Sequence, residues 1–140
     1  MTIEAHSEAD TQAAGEQLGA GLQPGTTVRL FGDLGAGKTA FVRGLAAGLG
    51  IDPDLVSSPT FTIVQEYRGP GVTLQHVDLY RLDAAEVADL ALDDLVADDT
   101  VIAIEWAERL PRALPSPTVD VHIEYAADGR RIRVAAVPDG

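Results

Sequence analysis

The sequence predicts one α/β domain spanning residues 1–140, on three observations. A β-type run, Thr26-Thr27-Val28-Arg29-Leu30-Phe31, leads straight through a glycine-rich loop into a helical segment from Thr39 to Leu49. Thr100-Val101-Ile102-Ala103-Ile104 is apolar almost without interruption, as buried central strands are. Strand-like segments also flank two short Gly-containing turns, Arg68-Gly69-Pro70-Gly71 and Asp128-Gly129, the spacing of antiparallel hairpins.

The remaining elements follow in order. Ser7, with Asp10 three residues later, resembles a capping arrangement for an Ala-rich helix that runs to about Gly21 and is broken by Gln23-Pro24-Gly25. Beyond Pro53, Ser57-Ser58-Pro59-Thr60 enters a strand from Phe61 to Tyr67, and the first hairpin returns from Val72 to about Asp78. Leu82, Val87, Leu90 and Leu95 give residues 82–96 helical spacing. Val119 to Tyr125 and Arg131 to Val137 form the second hairpin. No repeat, low-complexity tract or linker interrupts the chain, and sheet order stays open because the terminal strands pair equally well in several ways.

Composition narrows the function. With 46% hydrophobic residues, the chain has enough apolar material for a real core. It has no stretch resembling a membrane span and no basic segment followed by an apolar run at Met1–Glu8, so a cytoplasmic protein without a membrane partner is expected. Cysteine is absent, which excludes disulfides, thiolate metal sites and cysteine nucleophiles, and His6, His76 and His122 are too scattered for a metal pattern. A net charge of −12 opposes direct nucleic-acid binding, which draws on Lys and Arg to neutralise phosphates. Seven acids from Asp83 to Asp99, with no base among them, read as a solvated helix face or as a docking surface for a basic protein.

The residues that carry chemistry begin with Gly32-Asp33-Leu34-Gly35-Ala36-Gly37-Lys38-Thr39, a complete match to G-x-x-x-x-G-K-[ST] in the strand–loop–helix context that the pattern requires. Lys38 is the only lysine, and nine arginines supply the other basic side chains. Gly35 and Gly37 let the backbone approach phosphate oxygens, so that N–H groups and the following helix N-terminus point at the anion. Lys38 would bring a slim ammonium to the β- and γ-phosphates, and the Thr39 hydroxyl would ligate Mg²⁺.

A magnesium site needs a second anchor, and two acids qualify. Glu105 ends the most apolar strand, where a nearby cation would compensate a buried carboxylate; the alternative is an exposed strand-end acid. Asp78 also ends a strand, and is read as acceptor of a water proton, as an outer-shell Mg²⁺ anchor, or as a helix cap before Leu82. Thr60 could sense the γ-phosphate or simply begin a strand, and Trp106 could pack over the site, under a partner, or in the core. Arg43 and Arg81 are weighed as charge-stabilising groups against surface or structural roles. Arg130, Arg131 and Arg133 form a basic hairpin, in which Arg130 is also weighed as a base or ribose contact.

These motifs together resemble the TsaE (YjeE) family almost end to end. The glycine loop with Lys38-Thr39 is common to all P-loop proteins, whereas Ser58-Pro59-Thr60-Phe61, His76-Val77-Asp78-Leu79-Tyr80-Arg81-Leu82 and Ile104-Glu105-Trp106, with Glu108 beyond, are specific in this order. The resemblance implies a single-domain P-loop NTPase-like fold with a mixed β-sheet flanked by helices. It also implies Mg²⁺-dependent ATP binding and weak hydrolysis in tRNA threonylcarbamoyladenosine (t6A) biosynthesis, exerted through the TsaD and TsaB proteins. On that pattern Thr39 and Glu105 meet the magnesium, Asp78 is the acid near the γ-phosphate, Thr60 is switch-like, and Trp106 lies beside nucleotide and partner. One departure stands out: Leu90-Ala91-Leu92 occupies a place where the family usually reads Leu-Gly-Leu, and alanine lacks glycine's easy positive φ.

Three competing functions share the phosphate loop, one of them a nucleotide-binding regulator without hydrolysis, which differs only in whether phosphate is released. A GTPase needs a guanine-reading N-K-x-D loop, and this chain has neither an asparagine nor a second lysine. A small-molecule P-loop kinase needs an acceptor pocket and an arginine lid, for which 140 residues leave little room.

Overall fold

The computed structural model describes residues 1–33, 37–57 and 63–137. Its elements are β1 (Thr2–Ala5), α1 (Glu8–Gly21), β2 (Thr27–Phe31), α2 (Lys38–Gly48), β3 (Val64–Gly69), β4 (Val72–Asp78), α3 (Ala84–Asp89), β5 (Thr100–Glu105), β6 (Thr118–Ala126) and β7 (Gly129–Val137). Short 3₁₀ turns stand at Pro53–Leu55, Leu92–Leu95 and Ala107–Arg109.

The strands form one mixed sheet in the order β1-β7-β6-β2-β5-β4-β3. Its centre, β6-β2-β5-β4, is parallel, and antiparallel pairs close both sides, β3 on β4 at one and β7 on β6 with β1 on β7 at the other. Both predicted hairpins are present. All of β5 is buried because alternate residues face two different layers. Val101 and Ala103 join Val28, Leu30, Val121 and Ile123 in the layer with α1 and α2, while Ile102 and Ile104 join Val77, Leu79, Val87 and Leu92 on the opposite face.

Helix α1 starts as its sequence suggests, with Ser7 Oγ accepting from the Asp10 N–H at 3.1 Å. Asp10, shorter than the usual Glu, turns its own carboxylate to the His6 N–H at 2.9 Å. Helix α2 buries Phe41, Val42, Leu45 and Ala46 completely, and Phe41 alone contributes about 1.5–3 kcal/mol of transfer free energy. The two helices approach through glycine. A Cβ on Gly44 would stand 1.8 Å from the Gln12 carbonyl oxygen, and one on Gly15 would stand 2.1 Å from that of Phe41. Since α2 begins with Lys38 and Thr39, this backbone contact fixes the helix that presents them.

Two expectations need correction. The predicted helix over 82–96 is broken: Ala91, at φ 51°, separates α3 from the 3₁₀ turn at Leu92–Leu95. The apolar spacing survives because Val87 and Leu92 still reach the second core layer. Strand β1 was not anticipated; it is four residues long with little alternation, and its pairing with β7, Ile3 opposite Ile132, creates it. The expected start of β3 at Phe61 lies outside the described residues, within which the strand begins at Val64.

Candidate active site

The C-terminal ends of β2, β5 and β4 converge on the N-terminus of α2, and the two-residue period of the strands decides which side chains arrive. On β4, Val72 and Leu74 belong to the α1–α2 layer, so His76 and Asp78 share that face. On β5, Val101 and Ala103 do so, and Glu105 follows. The register sets His76 opposite Ala103 and Asp78 opposite Glu105, making His76 the diagonal neighbour of Glu105.

Glu105 is only 3% exposed. The Thr39 hydroxyl approaches from α2, 3.4 Å from Oε1 and 3.3 Å from Oε2, and His76 Nε2 lies 2.5 Å from Oε2. The alternative of an exposed strand-end acid therefore falls. A hydroxyl and a carboxylate facing each other are hard oxygen donors that fit a small divalent cation.

Lys38 is buried, donates to the Gly32 carbonyl at 2.5 Å, and holds its Nζ 3.6 Å from the centroid of the Trp106 ring. Burial lowers its pKa below that of an ordinary lysine, against the pull of the Glu105, Glu108, Asp78 and Asp33 carboxylates. Gly37, at φ 110°, starts the helix, and a Cβ there would meet the Thr11 methyl at 3.4 Å. Leu34, Gly35 and Ala36 of the predicted loop, and Thr60, lie outside the described residues.

Trp106 has φ 60°, a left-handed conformation that costs a non-glycine residue about 1–2 kcal/mol. Consecutive strand residues point to opposite faces, so without this turn Glu105 and Trp106 could not both reach the start of α2. The indole also meets Tyr80, centroids 4.9 Å apart, and packs against the second core layer. Core packing and contact with the site are thus both true of Trp106.

Asp78 accepts from the Tyr80 N–H at 3.0 Å and caps that turn, whereas α3 is capped by Asp83 with Glu86. Burial raises the Asp78 pKa above the ordinary carboxylate value, opposed by the Tyr80 N–H and reinforced by Glu105. Arg43 ties α2 to the Val56 carbonyl at 2.9 Å and to Glu8 at 3.3 Å, a structural role, and Arg81 is exposed. Arg130 lies with its guanidinium carbon 4.2 Å from the Tyr125 ring centroid. Because β6 runs parallel to β2 and continues past the Phe31–His122 pair, this hairpin projects from the same end of the sheet as Lys38. Ala5, His6, Asp128 and Arg130 line a cleft of about 210 Å³ there.

The His76–Glu105 contact was missed in the sequence, where His76 opened a family motif and lay outside any metal pattern but was given no role of its own. The available signal was parity: His76 and Asp78 are two residues apart on one strand and must share a face.

This parallel centre, with Gly37-Lys38-Thr39 opening the helix after β2 and a buried acid ending the adjacent strand, puts the chain among P-loop NTPase-like α/β proteins. A crystal structure of Bacillus subtilis YdiB superimposes with a TM-score of 0.79 at 32% identity, covering 99% of this chain and 86% of that one. The chain belongs to the TsaE family: the family model described as threonylcarbamoyl adenosine biosynthesis protein TsaE matches residues 5–132. It is similar to the tRNA threonylcarbamoyladenosine biosynthesis protein TsaE of Treponema pallidum, 42% identical over 94% of this chain and 96% of the relative. It is likewise similar to the proteins of that name from Bacillus subtilis, 41% identical over 87% and 76%, and Synechocystis, 49% identical over 76% and 69%.

Proposed function

We propose that this protein is a Mg²⁺-dependent ATPase of low intrinsic turnover that supports formation of threonylcarbamoyladenosine in tRNA through TsaD and TsaB partners. The observation that carries the reading is the approach of Thr39 and Glu105 beside the only lysine of the chain. Thr39 and Glu105 would hold the Mg²⁺, which when bound supplies positive charge at the β- and γ-phosphate oxygens. Lys38 exchanges its contacts with Gly32 and Trp106 for phosphate oxygens. Asp78, half-buried and with a raised pKa, accepts a hydrogen bond from the attacking water and orients it. Trp106 covers the lysine and changes surroundings when the lysine moves, which makes it both a reporter and a surface for a partner. Arg130, which with His6 lines the cleft at that hairpin, would contact the base or ribose. Thr60 would sense the γ-phosphate.

The net charge of −12 favours acting on tRNA through partners rather than by touching it. Among the described residues no helix is long and apolar enough to cross a membrane; the site of action in this reading is the cytoplasm. The test is phosphate release from ATP with and without TsaD and TsaB, comparing the unmodified protein with Glu105→Ala and Asp78→Ala. Partner-stimulated release, with Mg²⁺ affinity lost in the first variant and turnover lost in the second, is the expected result. Fast release that ignores the partners, or transfer to a small acceptor in their place, would overturn the reading in favour of a kinase.

A further inference from the structure

The middle of β4 holds an imidazole that packing does not call for. His76 is fully buried, opposite Ala103 and between Gln75 and Val77 on a strand whose same-face neighbour Leu74 is core. Among the described residues its Nδ1 has no hydrogen-bond partner, an unfavourable state for a buried ring nitrogen. A leucine would fill this place without leaving that atom unsatisfied. What the imidazole adds is one contact, Nε2 at 2.5 Å from Glu105 Oε2.

That contact makes the two oxygens of Glu105 unequal. Oε2 has both His76 and Thr39 as partners, whereas among the described residues Oε1 has the Thr39 hydroxyl alone, at 3.4 Å. An acid at the end of a strand otherwise rotates about its terminal bond, and Mg²⁺ tolerates little deviation from octahedral geometry. We propose that His76 is a positioning residue: its Nε2–H holds Oε2 so that Oε1 stays turned toward the cation site beside Thr39. The inference rests on reading Glu105 as a Mg²⁺ anchor, and it adds a hydrogen-bonded support behind that anchor.

The experiment titrates Mg²⁺ at fixed ADP, with Trp106 emission as the signal, in the unmodified protein, His76→Leu, His76→Met and His76→Gln. Glutamine carries its amide nitrogen as many bonds from Cα as Nε2 is in histidine, so it can restore the bond, and leucine and methionine cannot. His76→Leu and His76→Met are expected to weaken Mg²⁺ binding about 10–100-fold, with Mg²⁺-free ADP affinity and melting temperature nearly unchanged, and His76→Gln to recover most of the loss. Unaltered Mg²⁺ affinity in the apolar variants would overturn the inference alone, as would equal losses in all three. An unmodified protein indifferent to Mg²⁺ would overturn the Glu105 reading, and the inference with it.

Discussion

The Lys38 ammonium rests 3.6 Å from the centre of the Trp106 ring and donates to the Gly32 carbonyl, so the one lysine of the chain is held by groups that, on the proposed function, it would leave to meet phosphate. Because burial lowers its pKa below 10.5, its charge is disfavoured by folding. That penalty is fully present below the folded pKa and relieved as pH rises from there toward 10.5. Free amine therefore forms at lower pH than on an ordinary lysine. Acylation of Lys38, followed by peptide mass spectrometry, should show a midpoint below 10.5 and should slow when ADP is added; a midpoint at or above 10.5 would contradict this environment.

Asp78 carries the opposite shift. Its folded pKa is raised above 3.8, so the ionised form is the destabilising one at neutral pH, and the penalty fades as pH falls through the folded pKa toward 3.8. Asp78→Asn keeps an oxygen for the Tyr80 N–H. This variant should melt above the unmodified protein at pH 7, the gap closing in acid, while ATP hydrolysis falls by about 10²-fold or more. Melting curves across pH, paired with phosphate release, check both parts.

Ala91 adopts φ 51° where glycine would be unstrained. The left-handed region costs alanine about 1–2 kcal/mol, and glycine's greater freedom in the unfolded chain returns roughly half of that. Ala91→Gly should therefore stabilise the fold by up to about 1 kcal/mol, seen as a rise of about 3 °C in melting temperature.

The contact of α1 with α2 predicts the reverse. In Gly44→Ala the new methyl would meet backbone, with the Gln12 carbonyl oxygen at 1.8 Å, so the helices must separate. A loss of about 2 kcal/mol or more in urea denaturation is expected, with weaker ADP binding because α2 carries Lys38 and Thr39.

The sequence made these sites legible to different depths. Strand–loop–helix, the two hairpins and the acid ending β5 could be read directly, since each depends on local pattern and burial. The order of the sheet could not, because the pairing of β6 with β2, and of β1 with β7, is decided by long-range registry that no local pattern carries. The break at Ala91 was foreshadowed by the missing glycine but hidden by apolar spacing that continues across it. The contact of His76 with Glu105 escaped notice because the two are 29 residues apart, and only register makes them neighbours.

The central claim is that Lys38, Thr39 and Glu105 form an adenine-nucleotide phosphate site that uses Mg²⁺. The most direct measurement is Trp106 emission during titration with ATP, with and without Mg²⁺, in the unmodified protein and in Lys38→Ala, with GTP as control. The expected result is a saturating, Mg²⁺-strengthened response to ATP, a far weaker one to GTP, and an affinity lowered at least tenfold in Lys38→Ala. An equal response to GTP, or full ATP affinity without Lys38, would contradict it.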